Sequence, residues 1–338
     1  MRKLLALLLC AAMVMTVFTA CTKSKETGAG GKAKTGLAVI TTAAKSKDAT
    51  ADADGLVEAD STAVAVLVND KGVIVNCIID VIQPKINFSA AGELTTDMAT
   101  EFVSKKELGD AYGMKKASGI GKEWYEQAKA LEAYVIGKTL DQVKGIALNE
   151  EGAPAVADLT SSVTVTIDDI VKAVEKAVNG AQDLGASTGD KLGLGLISGL
   201  GHSVSVSDKD GLAQAYTHYG VITLNKDGKI TSSIIDASQA NINFSKEGKI
   251  TSDLTAEIKT KCELGDAYGM RKASGIGKEW FEQAKAFSDY IVGKTVADVK
   301  AIAVNEEGSP TAADLTSSVT VGVGDLLTVI EKAGATAK

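Results

Sequence analysis

Apolar and polar positions are arranged in distinct blocks along this 338-residue chain. Residues 64–68 and 73–82 are runs rich in β-branched side chains, separated by the turn-forming tetrad NDKG at 69–72, and predict a hairpin. A second turn, SAAG at 89–92, follows Ile86 and Phe88. Trp124, Ala128, Leu131 and Val135 then fall at helical spacing and predict a helix that stops at Gly137. Thr139 with Gln142, and Thr295 with Asp298, are spaced as capping boxes for short helices. Thr166 with Asp169 has the same spacing ahead of the amphipathic segment IVKAVEKAV, which predicts a further helix. Together these elements predict an α+β fold, a small and mostly antiparallel sheet covered by helices.

The pattern occurs twice. ELGDAYGMKKASGIGKEWYEQAKA at 107–130 returns at 263–286 with 22 of 24 residues identical. NEEGAPAVADLTSSVT at 149–164 returns at 305–320 with 13 of 16, whereas 55–86 and 211–242 share only 11 of 32. GLAVIT at 36–41 faces GLGLIS at 193–198, so the chain divides into tandem copies at 36–178 and 193–338. The Gly- and Ala-rich stretch 179–192 reads as an interdomain linker and 21–35 as a flexible tether, which predicts semi-independent domains.

Composition narrows the setting. The net charge is −7, a poor match for nucleic acid, and no polybasic patch suits anionic lipid heads. Arg2 and Lys3 precede a continuous apolar run from Leu4 to Phe18, too short to span a bilayer comfortably, so residues 1–20 read as an export signal. The sequence FTAC ending at Cys21 resembles the lipobox of bacterial lipoproteins, which implies lipidation of Cys21 and a body held at the outer face of the cell membrane. Cys77 and Cys262 match Ser233 and Lys106 in the other copy, so neither belongs to a repeated disulfide or metal site. His202 and His218 match Ser46 and Thr62, which argues against a histidine-based centre in both halves.

DLTSSVT stands letter for letter at 158–164 and 314–320. Taken alone, it reads as a polar loop leading into a helix, with Asp158 and Ser161 satisfying backbone amides. D-x-x-S-x-x-T also resembles the acceptor motif of FMN-binding domains that carry the flavin as a phosphoester on the last threonine. The resemblance implies two covalent FMN groups, on Thr164 and Thr320, attached by a flavin transferase. Asp158, Ser161 and Ser162, with Asp314, Ser317 and Ser318, complete the motifs. Small residues there would let the backbone approach a phosphate, and the expected helix start would favour its charge. Tyr112 and Met114, with Tyr268 and Met270, lie between glycines in polar loops and are candidate walls for the flavin ring; Trp124 and Trp280 read first as core.

The leader, the duplicated domain and the ELGDAYGM…GIGKEW blocks together resemble the twice-flavinylated lipoproteins of Gram-positive extracellular electron transfer. That resemblance implies a carrier passing electrons from a quinone-linked membrane donor to extracellular acceptors, with the redox chemistry belonging to the cofactor. A flavin-bearing reductase of one specific acceptor, or a non-redox ligand-binding surface lipoprotein, are the alternatives. The chain shows no repeated catalytic constellation, so an electron-transfer flavoprotein is expected ahead of a substrate-specific enzyme.

Overall fold

The computed structural model describes residues 30–338; the leader expected at 1–20 and the expected lipidation residue Cys21 lie outside the described residues. The fold is mixed α+β. In the first repeat β1 (Ala33–Thr42), β3 (Asp60–Asn69) and β4 (Ile74–Ile82) form an antiparallel sheet in the order β1-β3-β4, and β2 (Gly55–Glu58) pairs with β5 (Lys85–Phe88). The expected hairpin is β3–β4. Its turn closes through Asn69, whose Oδ1 accepts the amides of Lys71 and Val73 at 3.0 Å each. In the second repeat β6 (Lys191–Gly199), β7 (Gly211–Leu224) and β8 (Ile230–Phe244) form one sheet in that order. β8 runs unbroken where the first copy is split into β4 and β5. Pro84 stands where the second copy has Ala240 and has no N–H to give to a ladder, so the strand is interrupted there.

The helices follow the sheet in the same order twice: α1 (Lys105–Leu108), α2 (Trp124–Val135), α3 (Leu140–Lys144), α4 (Ala157–Thr160) and α5 (Asp168–Asn179), then α6 (Lys261–Leu264), α7 (Trp280–Ile291), α8 (Val296–Lys300), α9 (Ala313–Thr316) and α10 (Gly324–Thr336). The capping boxes at Thr139 and Thr295 form. The one expected at Thr166 does not. The Thr166 hydroxyl donates to the carbonyl of Glu151, and α5 starts after Ile167, which is fully buried and is held by its N–H to the carbonyl of Gly152. Burial of one isoleucine sets that helix start, not a side-chain cap.

Both faces of β3 are buried. Val64, Val66 and Val68 pack with Trp124, Leu131 and Val174 from the helices of their own repeat. Ala63, Ala65 and Leu67, on the opposite face, pack with Leu192, Leu194 and Leu196 of the second repeat. The strands therefore read as continuous apolar runs rather than clean alternations. The molecule stacks as helices, sheet, sheet, helices.

The two repeats meet about an internal pseudo-two-fold. Phe88 and its equivalent Phe244 stack on each other, ring centres 4.3 Å apart and 17° from parallel. Thr41 bridges to Ile258 and Ser198 to Phe102, the same pairing made in both directions. Lys176 pairs with Glu263, and Lys332 with Glu107. Such reciprocity is the signature of an isologous interface, here within one chain. Semi-independent domains are thereby corrected: the cores of the two copies are shared. Within the expected linker, Gln182 and Ser187 bridge to Thr35 and Lys32, and of the expected tether, residues 33–35 already belong to β1. The shared glycine of GLAVIT and GLGLIS also has a packing reason. A Cβ on Gly36 would lie 2.1 Å from the carbonyl oxygen of Ala177, and one on Gly193 1.9 Å from that of Ala333, so only glycine lets α5 and α10 sit this close to the first strand.

Candidate functional site

In both repeats DLTSSVT folds as a one-turn helix, α4 or α9, followed by a tight turn. Leu159 and Val163 are each 1% exposed and anchor the turn in the core. Asp158, Ser161 and Thr164 are exposed, and Ser162 is half-buried with its hydroxyl donating to the carbonyl of Leu159 at 3.1 Å. Asp314, Ser317 and Thr320 are likewise exposed, and the Ser318 hydroxyl donates to the Leu315 carbonyl at 3.1 Å. Thr164 does not sit at the start of α5, as expected, because three residues intervene.

The DLTSSVT turn is held instead by Gln127 on α2, a residue sequence reasoning passed over. Its Oε1 accepts from the amide of Thr164 (2.8 Å), the hydroxyl of Thr164 (3.3 Å) and the amide of Val165 (3.2 Å). Its Nε2 donates to Ser118 Oγ (3.2 Å) and to the carbonyl of Lys122 (3.3 Å). Gln127 is fully buried, so its amide holds the turn from the core side, while Thr164 itself stays exposed. Gln283 makes the same set in the second repeat, to Thr320 and Val321 at 2.8, 3.3 and 3.2 Å. One turn earlier, Glu123 accepts the amides of Met114 and Lys115 at 2.9 Å each and so fixes the loop that carries Tyr112 and Met114. The first turns of α2 and α7 thus clamp two separate segments together. This is why the two nearly identical blocks belong to one structural unit. The available signal was Gln127 itself, a polar residue on the helix stripe formed by Trp124, Ala128 and Leu131.

Beside the turn of the first repeat lies a cavity of about 370 Å³, walled by Tyr112, Met114, Trp124, Val165, Asp60 and Thr62 among others. Tyr112 and Met114 are half-buried, and Trp124 packs in the core while also facing this space. Lys105 Nζ lies 4.9 Å from the Tyr112 ring centre and 5.6 Å from that of Trp124. At the wall Lys45 donates to Asp60 Oδ2 at 2.7 Å, and that hydrogen bond raises the lysine pKa above its ordinary value. Asp60 Oδ1 is buried with no hydrogen-bond partner.

The second repeat places Tyr216 and His218 where the first has Asp60 and Thr62. Their rings are 4.3 Å apart. Lys261, the counterpart of Lys105, is buried among aromatic rings, 4.3 Å from Tyr216, 4.6 Å from Tyr268 and 5.1 Å from Trp280. It donates to Tyr216 Oη at 2.5 Å. Burial lowers the Lys261 pKa to about 8. It also lowers that of His218 to about 3, with the Lys261 charge adding to the effect, although Asp325 Oδ2 lies 3.3 Å from Nδ1. The cavity left between Tyr216, His218 and Asp325 is about 130 Å³. Tyr268 and Met270 pack at the edge of the neighbouring core, together with Tyr216.

Small-molecule sites usually enclose about 300–1,000 Å³. The first cavity reaches that range and offers aromatic, thioether and hydrogen-bonding walls suited to a planar heteroaromatic ring. The second, as built, does not. Cys77 is buried and Cys262 exposed, both as free thiols, and the described residues contain no cluster of His, Cys, Asp and Glu able to hold a metal. No described helix is long and apolar enough to cross a membrane.

No family model and no solved structure matches the chain. A stretch of 41 residues is 54% identical to part of a chlorophenol reductase of Desulfitobacterium hafniense. That stretch spans 12% of this chain and 12% of that protein.

Proposed function

We propose that the protein is an exported, lipid-anchored electron carrier bearing FMN through phosphoester bonds to Thr164 and Thr320. The observation that carries this reading is the acceptor turn. Each threonine is exposed to a modifying enzyme, while its amide and hydroxyl are held by a buried glutamine. Attached flavin would supply the redox chemistry; the chain supplies attachment, orientation and the ring-facing walls Tyr112, Met114 and Trp124. The Thr164 hydroxyl donates a hydrogen bond to Gln127 Oε1 at 3.3 Å, which leaves the lone pairs of the threonine oxygen unused by that contact. Covalent attachment also suits a protein outside the cell, where a loosely bound cofactor is diluted away. A flavin transferase, a quinone-linked membrane donor and extracellular acceptors are the partners this reading requires, and Cys21 is the anchor.

The test is direct. Protein produced with an active flavin transferase should gain two FMN groups less two waters in mass. Thr164→Ala and Thr320→Ala should each remove one flavin, and the double variant both. Covalent flavin persisting in the double variant would overturn the assignment. The 41-residue likeness to a chlorophenol reductase prompts a second reading, in which the same flavins serve reduction of one acceptor class. A carrier should deliver electrons to chemically unrelated acceptors, such as a ferric chelate and free flavin. A dedicated reductase should turn over chlorinated phenols saturably and the others poorly.

A further inference from the structure

We infer that the two attachment sites are not equivalent: the first repeat encloses a flavin ring, and Tyr216 and His218 of the second repeat keep the ring carried on Thr320 outside the fold. This rests on the reading of Thr164 and Thr320 as flavin acceptors. The acceptor turns are superimposable in their hydrogen bonds, down to the same three distances from Gln127 and Gln283. The space beside them is not. Next to Thr164 a cavity of about 370 Å³ is open between Tyr112, Met114 and Trp124. In the second repeat two larger rings replace Asp60 and Thr62, and the space they line is about 130 Å³, bounded by Tyr216, His218 and Asp325 and not by Tyr268, Met270 or Trp280.

The filling is an ordered structure rather than a loose side chain. Tyr216 lies against His218 and against Lys261, which bonds its hydroxyl. Lys261 lies over three aromatic rings, 4.3, 4.6 and 5.1 Å from their centres, and each cation–ring contact holds the assembly together. Seating a ring there would require breaking these contacts and exposing His218, which is 5% exposed. In the first repeat the cavity between Tyr112, Met114 and Trp124 is already open. Positions 60 and 62 against 216 and 218 are therefore the residues that decide enclosure. An enclosed ring meets its partners at its exposed edge, whereas an outer ring is free to meet a bulky or soluble acceptor. The division of labour follows from the side chains of one strand pair.

The experiment compares Thr164→Ala, which carries only the Thr320 flavin, with Thr320→Ala, which carries only the Thr164 flavin. Attachment is scored by mass on each sample, and accessibility by iodide quenching of flavin fluorescence. Quenching of the Thr320 flavin should be several-fold stronger. In the Thr164→Ala background, Tyr216→Asp with His218→Thr should open the second cavity and lower quenching to the level of the first site. In the Thr320→Ala background, Asp60→Tyr with Thr62→His should raise it. Equal quenching of the two flavins, both confirmed by mass, would overturn the inequivalence while leaving flavin attachment intact. Absence of flavin from both samples would overturn the functional reading, and the inequivalence with it.

Discussion

The two halves of the chain make the same DLTSSVT turn and back it with different chemistry. On the far side of α2 from that turn, Glu132 is 1% exposed and takes Lys106 and Lys338 on its two oxygens, besides the amide of Ile79 at 2.7 Å. On α7 the equivalent residue is Ser288, buried with an unpartnered hydroxyl, and Lys106 is replaced by Cys262. In the cavity, a Lys45–Asp60 pair in one half corresponds to a Tyr216–His218–Lys261 assembly in the other. What the halves share is the glutamine clamp, the glutamate below it and the small residues of the turn. The difference teaches which contacts hold the DLTSSVT turn, and which parts merely have to be filled.

The largest effect expected from this comparison is at the rear of α2. Glu132→Ala leaves two lysines and one amide without their acceptor and should cost about 3–5 kcal/mol in urea unfolding, whereas Ser288→Ala should shift stability by under about 0.5 kcal/mol. Comparable losses at the two positions would mean that the halves are backed alike after all.

Next comes the acid side of the stability curve. His218 is neutral when folded, with its pKa lowered to about 3, against about 6.5 unfolded. In that window the unfolded chain binds the extra proton, so folding stability falls as pH drops from about 6.5 towards 3. The loss should be on the order of 3 kcal/mol, reduced from the full shift because the Asp325 carboxylate lies beside the ring. His218→Thr, which installs the residue of the first repeat, should remove that part of the slope. An unchanged pH profile would show that His218 is not the group responsible.

The smallest effect concerns the pseudo-two-fold. Lys176→Ala and Lys332→Ala remove the two reciprocal ion pairs with Glu263 and Glu107. Each should cost under about 1 kcal/mol, and added salt should shrink both losses together. A clear inequality would mean that the interface is less symmetric in energy than in geometry.

Local chemistry determined a good deal by itself. The NDKG turn, the Trp124–Val135 stripe and the Thr139 and Thr295 caps lie where short-range patterns place them, because each depends on residues within one or two turns of each other. The duplication and the letter-for-letter return of DLTSSVT were equally plain from the letters. Tertiary structure decided the rest. Gln127 reaches Thr164 across 37 positions, a pairing no periodicity encodes. Ala63 and Ala65 are small apolar residues that carry no label for their partner, so only the folded chain shows that they meet Leu194 and Leu196 of the other copy and not a helix of their own. The same holds for the cavity. Tyr216 and His218 lie on a strand, Lys261 on a short helix, and whether two aromatic rings fill a site depends on the distance between those elements, which is a property of packing and not of spacing along the sequence.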